Sequence, residues 1–159
     1  MSVETLVAEQ IMSRIVVTVK PDESPLLAWE LMRRAGVHHL PVVDDACRVL
    51  GIITREDLAA SWSGGPEEQS HRQVRTLAGQ HRLPRVSSDQ FLPRVAAAML
   101  DAGRDAVPVT SEDGRLIGLV TAQDVLKAVA GRVIRPEGPA EVRTGLFRLE
   151  PIPPSATLG

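Results

Sequence analysis

The chain has 159 residues, a net charge of −2, two Phe, two Trp, no Tyr and one cysteine. With no long block of one charge sign it lacks the footprint of a duplex binder, and its few aromatics deny it the stacking platforms that single-stranded nucleic acid needs. The lone Cys47 excludes an intrachain disulfide and a cysteine-based zinc site, leaving a free thiol near a loop or an intermolecular disulfide.

Glu4, Glu9 and Gln10 interrupt the apolar patches at the N-terminus, so no secretory signal is expected. No apolar run reaches membrane-spanning length, and the expectation is a cytoplasmic protein without membrane partners. Ile15 to Val19 is β-branched, short and ended by Pro21, which predicts a strand. Ser24 followed by Pro25 is a helix start, Leu27, Ala28, Leu31, Met32 and Ala35 recur at helical spacing, and Gly36 supplies a left-handed stop. Val37 to Val43 and Val49 to Ile53 then flank a polar turn, predicting an antiparallel hairpin, and a helix begins at Thr54.

The chain then repeats itself. Val19, Asp22, Met32, Ala35, Gly36, Pro41, Val42, Arg48, Gly51, Thr54 and Asp57 return 67 positions later as Val86, Asp89, Met99, Ala102, Gly103, Pro108, Val109, Arg115, Gly118, Thr121 and Asp124. Turn, cap and polar residues dominate the matches, which chance apolar similarity would not produce. The hairpin turn is plainer in the second copy, where Asp113-Gly114 is a strong tight-turn dipeptide. Each copy thus reads strand, helix, strand, strand, helix, with residues 1–60 forming the first, 61–72 a polar linker, 73–131 the second and 132–159 a Pro-rich tail. The tail is expected to be irregular apart from a short strand near Leu146 to Leu149. Since one copy cannot bury its own apolar face, the pair is the expected folding unit.

The segments Gln10-Ile11-Met12-Ser13, Val16-Val17-Thr18-Val19, Val37-His38-His39-Leu40-Pro41-Val42-Val43-Asp44 and Gly51-Ile52-Ile53-Thr54-Arg55-Glu56-Asp57 resemble a CBS domain. The second copy is similar in Val107-Pro108-Val109 and Gly118-Leu119-Val120-Thr121-Ala122-Gln123-Asp124, and less so in its first strand. The resemblance implies an α/β (α+β) fold of two pseudo-twofold related repeats packed sheet to sheet. It also implies up to two clefts for AMP, ADP, ATP or S-adenosylmethionine, a regulatory role toward a partner protein, and pairing into flat homodimers.

Chemistry at the matching residues is compatible with a nucleotide. Thr54 and Thr121 open helices whose amide donors and dipole suit an anion, and Asp57 and Asp124, one turn on, can accept both ribose hydroxyls. Gly51 would let a ligand approach the backbone closely. The same Thr-x-x-Asp spacing is also a capping box that needs no ligand. Arg55 and Gln123, beside these caps, and Pro41 and Pro108, in the strand that carries the motif in each copy, are further candidate ligand-binding residues.

His38 and His39 stand where related proteins reach phosphates with basic side chains; the other readings are a solvated pair or a ring packed in the sheet. As strand neighbours they point to opposite faces, which disfavours a shared metal. By the family's rule of borrowed first strands, the Asp57 cleft receives Arg85 and the Asp124 cleft receives Val16 and Thr18. Asp105 replaces His38 in the second copy, and Ala122 replaces Arg55 beside Gln123. A phosphorylated ligand is therefore expected to prefer the Asp57 cleft, the more so at acidic pH.

No nucleophile elbow, phosphate loop, His-Glu-x-x-His or dinucleotide fingerprint occurs, so no enzyme is expected. The run Val95 to Leu100 is apolar nearly all round and Trp29 lies off its helix stripe, favouring a homodimer over tight packing within one monomer. These features together predict a non-enzymatic adenosine-ligand sensor. The alternatives are an interaction module with empty clefts, or the regulatory half of a separated enzyme or transporter. A standalone regulator would end soon after the second copy.

Overall fold

The computed structural model describes residues 2–78, 83–133 and 141–144. A short 3-10 turn (Val3–Thr5) and helix α1 (Ala8–Ile11) precede β1 (Ile15–Thr18), α2 (Pro25–Ala35), β2 (His39–Val43), β3 (Val49–Thr54) and α3 (Arg55–Ser61). Then come α4 (Pro66–His71), α5 (Arg75–Ala78), α6 (Leu92–Ala102), β4 (Ala106–Thr110), β5 (Leu116–Thr121), α7 (Ala122–Val129) and β6 (Glu141–Thr144).

Local chemistry accounts for the helix ends. Ser24 Oγ accepts from Leu27 N at 3.1 Å with Pro25 at the first turn, and Gly36 closes α2 at φ 66°. Gly103 closes α6 in the same way at φ 64°. Each hairpin, β2–β3 and β4–β5, is antiparallel with a register shift at the same place, between Val42 and Val43 and between Val109 and Thr110.

Three apolar cores form, and all three cross the repeats. Ala8, Ile11 and Met12 from the start of the chain are buried with Val86, Val95, Met99, Val107 and Val120 of the second repeat. Reciprocally, Val74, Leu77 and Ala78 of the second repeat's entry segment are buried with Ala28, Leu31, Met32, Leu40 and Ile53 of the first. Backbone bonds match this exchange: Ala8 N donates to Gln90 O and Leu92 N to Leu6 O, while Val74 N donates to Glu23 O. The third core lies between the hairpins and joins Val43, Val49 and Ile52 to Ala106, Leu116 and Leu119. At the hairpin turns Leu116 N donates to Cys47 O at 2.9 Å and Val49 N to Gly114 O at 3.3 Å, tying the sheets together.

Three sequence expectations change here, in the linker, in the second repeat's first strand and in the tail, which forms β6. The polar linker contains a helix, α4, because Gly65 and Pro66 start a helix rather than merely breaking one. Its Gln69 is fully buried, with Nε2 donating to Ser63 O at 2.6 Å, and Arg72 donates to Ser61 O at 2.6 Å. The second repeat's first strand is reduced to an isolated parallel bridge from Val86 to Val109 among the described residues. In the first repeat, β1 is a full strand because β6 from the tail pairs with it in parallel, Ile15 opposite Glu141 through Thr18 opposite Thr144. The strand expected at Leu146 to Leu149 lies outside the described residues.

Candidate functional site

Where β1 of the first repeat meets β5 and α7 of the second, a cavity of about 440 Å³ opens. Ser13, Ile15, Val16 and Val17 form one wall, Leu119, Thr121, Gln123, Asp124 and Lys127 another, and His38, His39, Glu56 and Asp105 complete it. Its size is within the range of small-molecule sites.

Each functional side chain is positioned by its element. Thr121 caps α7: its backbone N donates to Asp124 Oδ2 at 2.9 Å, its hydroxyl donates to the same oxygen at 3.1 Å and accepts from Asp124 N at 3.4 Å. The cap uses only Oδ2, so Asp124 Oδ1 is not spent on it. Val16 is buried beside this helix start, giving the cavity an apolar surface opposite a polar one. His39 begins β2, and its Nε2 lies 2.8 Å from Asp105 Oδ1 just before β4, a hydrogen bond that spans the repeats. Partial burial pushes the Asp105 pKa up, but the hydrogen bond and charge of His39, with Arg104 nearby, outweigh it and hold the carboxyl below its ordinary value of 3.8.

The cavity gathers Val16, His38, His39, Thr121, Gln123 and Asp124 from the residues singled out by sequence. The histidines therefore face the Asp124 side, together with Asp105, and do not set up the positive Asp57 cleft expected above. This follows from the crossing of the repeats: the end of α2 and start of β2 lie against the partner repeat's α7 as the rim of one cavity. Thr18 is fully buried and Pro41 and Pro108 are buried within the sheets, where their carbonyls accept from Val19 N and Val86 N. Thr54 and Asp57 bond each other as the cap of α3, at 2.9 and 3.0 Å. Arg55 turns to an apolar groove with Trp29, Met32, Leu58 and Trp62.

Arg85 is a correction. Its guanidinium donates to Val49 O at 2.8 Å, at the start of β3, whereas Thr54 and Asp57 stand at the far end of that strand. Gly51 is another: a Cβ there would lie 2.8 Å from both Cβ and O of Ala78, so the close approach is that of α5 and not of a ligand. Sequence reasoning missed Ser13, Ile15, Val17, Glu56 and Lys127. Only Lys127 left a signal, three residues after Asp124 and thus on the same helix face.

Among the described residues no group of His, Cys, Asp and Glu converges for a metal ion, and no helix is long and apolar enough to cross a membrane. Two repeats that exchange their entry segments and close a cavity between them define a duplicated α+β pair. The chain belongs to the CBS domain family, whose model matches residues 7–64 and 75–131. A CBS domain-containing protein of Dictyostelium discoideum is 31% identical over 142 residues, covering 84% of this chain and 97% of that protein. Inosine-5'-monophosphate dehydrogenase of Methanocaldococcus jannaschii is 27% identical over 121 residues, covering 76% of this chain. The chain spans about a quarter of the length of such relatives, 23% of that enzyme and 28% of an uncharacterised protein of the same organism. In fold it is similar to the CBS domain pair of protein MJ0100, solved in complex with 5'-methylthioadenosine and S-adenosyl-L-methionine. There the TM-score is 0.70 at 23% identity, covering 80% of this chain and 98% of that one.

Proposed function

We propose that this CBS pair is a non-enzymatic regulatory module, working in the cytoplasm, that binds an adenosine-containing ligand in the Asp124 cavity. The ligand would then signal to a partner protein by rearranging a homodimer. The observation that carries the reading is the cavity itself, in which a carboxylate with an uncommitted oxygen at a helix start faces an apolar strand borrowed from the other repeat. Asp124 is suited to the two ribose hydroxyls, Val16 and Val17 to a flat base, and the amides at the start of α7 to a polar 5' substituent. The adenosine compounds held by the MJ0100 pair support the ligand class.

The dimer rests on exposed apolar side chains on the corresponding helices of both repeats. Trp29 is 44% exposed and flanks a groove of about 620 Å³ on α2 and α3, and Leu100, Leu126 and Val129 are 81%, 67% and 62% exposed on α6 and α7. Arg33 and Leu100, Ala59 and Leu126, and Trp62 and Val129 are repeat equivalents. The competing reading, an interaction module with empty clefts, draws on the caps, which are satisfied without any ligand.

A thermal-shift panel of adenosine, AMP, ATP and S-adenosylmethionine separates the two. Ligand at a hundredfold over its dissociation constant adds about 2.7 kcal/mol to stability. Asp124→Ala should abolish that shift while costing only the cap, about 0.5 to 2 kcal/mol. A full shift in folded Asp124→Ala would leave capping as the residue's only role.

A further inference from the structure

The ionisable lining of the cavity is unbalanced. Glu56, Asp105 and Asp124 stand against Lys127, with His38 and His39 on the rim. Arg104 lies near Asp105 without lining the cavity, and Arg14 and Arg132 line a neighbouring cavity of about 530 Å³ that shares Ser13, Ile15, Asp124 and Lys127 with this one. His39, a rim side chain able to donate to an anion, is already engaged by Asp105 at 2.8 Å, and this bond joins one repeat to the other across the site. A phosphate drawn to His39 must displace that carboxylate or lie beside it, and like charges at such range repel strongly in a partly desolvated cleft. A ligand with an uncharged or cationic group on its 5' carbon meets no such opposition.

We propose that Asp105 is a specificity-determining residue of the Asp124 cavity, held by His39 where it opposes phosphorylated nucleosides and admits nucleosides with an uncharged or cationic 5' substituent. This rests on the reading of the cavity as an adenosine site. Asp105 is 68% exposed at its side chain and is no part of the cores, so its removal leaves the fold intact. The repeat equivalent of Asp105 is His38, so the duplication has put a carboxylate on one side of the pseudo-twofold axis and a base on the other.

The test is calorimetry on the full chain at pH 7.5 with adenosine and AMP, comparing wild type, Asp105→Asn and the Asp105→Asn, Asp124→Ala double variant. Asparagine keeps the shape and can still bond His39, so only the charge is removed. Wild type should bind adenosine more tightly than AMP. Asp105→Asn should tighten AMP about tenfold and leave adenosine within about twofold, on the scale of one removed like charge. The double variant should lose both ligands. An AMP-to-adenosine ratio unmoved by Asp105→Asn, or a gain that persists without Asp124, overturns the proposal while the adenosine site stands. Failure of wild type to bind either compound overturns the site, and this proposal with it.

Discussion

At the turn of its hairpin the first repeat holds Cys47 in the left-handed region, φ 63°, where the second has Gly114 at φ 84°. The turns do the same work, since Leu116 N donates to Cys47 O and Val49 N to Gly114 O. Yet only one of them uses the residue that adopts this conformation without strain. The same contrast recurs at the mid-strand glycines. Gly51 lies against the backbone and Cβ of Ala78, whereas Gly118 lies against the side chain of Met12. Duplication preserved the backbone plan and let the chemistry at each demanding position drift, which shows which demands come from the fold and which from one side chain's neighbours.

The largest effect is expected at Gly51. A methyl there meets Ala78 Cβ and O at 2.8 Å, so Gly51→Ala should destabilise by about 3 kcal/mol, the upper range for overpacking, as read by urea unfolding. Gly118→Ala should cost less, about 1 kcal/mol, because the Met12 thioether can rotate aside. Equal costs would mean that α1 is held as rigidly as α5. Next, exchanging the turn residues should move stability in opposite directions. Gly114→Ala has no close neighbour but Arg85 Nη1 at 3.5 Å, so its cost is the backbone term of about 1 to 2 kcal/mol. Cys47→Gly should instead gain about 0.5 kcal/mol, the left-handed strain relieved less the added freedom of the unfolded chain. A loss on Cys47→Gly would show that the partly buried thiol contributes more to the central core than its backbone costs.

The smallest expected effect is the pH dependence of the inter-repeat contact between Asp105 and His39. Because the folded-state pKa of Asp105 is depressed, its stabilisation is present above the ordinary value of 3.8 and is lost as pH falls through the lower folded value. The stability difference between wild type and Asp105→Asn, followed by thermal melts, should therefore shrink as the buffer is acidified below pH 4. A difference independent of acid would mean that Asp105 is held by shape alone.

Much of this fold was legible in the sequence because its signals are local and stated twice. Ser24-Pro25, Gly36 and Gly103, the Asp113-Gly114 turn and the Thr-x-x-Asp boxes each act within a few residues, and the structure forms an element boundary at each of them. What escaped was non-local. Arg85 could not be seen bonding Val49, nor His39 meeting Asp105, because neither pairing leaves a trace in spacing or periodicity. The borrowed wall was anticipated for Val16 and Thr18 alike; Val16 lines the cavity, whereas Thr18, two residues further along the strand, is fully buried away from it. The role of Gly51 was misread for the same reason, since a glycine announces close approach without naming what approaches.

The reciprocal packing of the two entry segments reproduces, within one chain, the kind of exchange that domain swapping makes between protomers, the two halves being joined by residues 61–72. Residues 1–64 alone carry Ala8, Ile11 and Met12 without the core those side chains fill, and lack the Val74, Leu77 and Ala78 that complete their own. Covalent linkage turns the meeting of the two halves into an intramolecular event, which raises their effective concentration over that of separate molecules. Separated halves would meet that requirement only by finding each other in solution, and their affinity would be set by two cores at once.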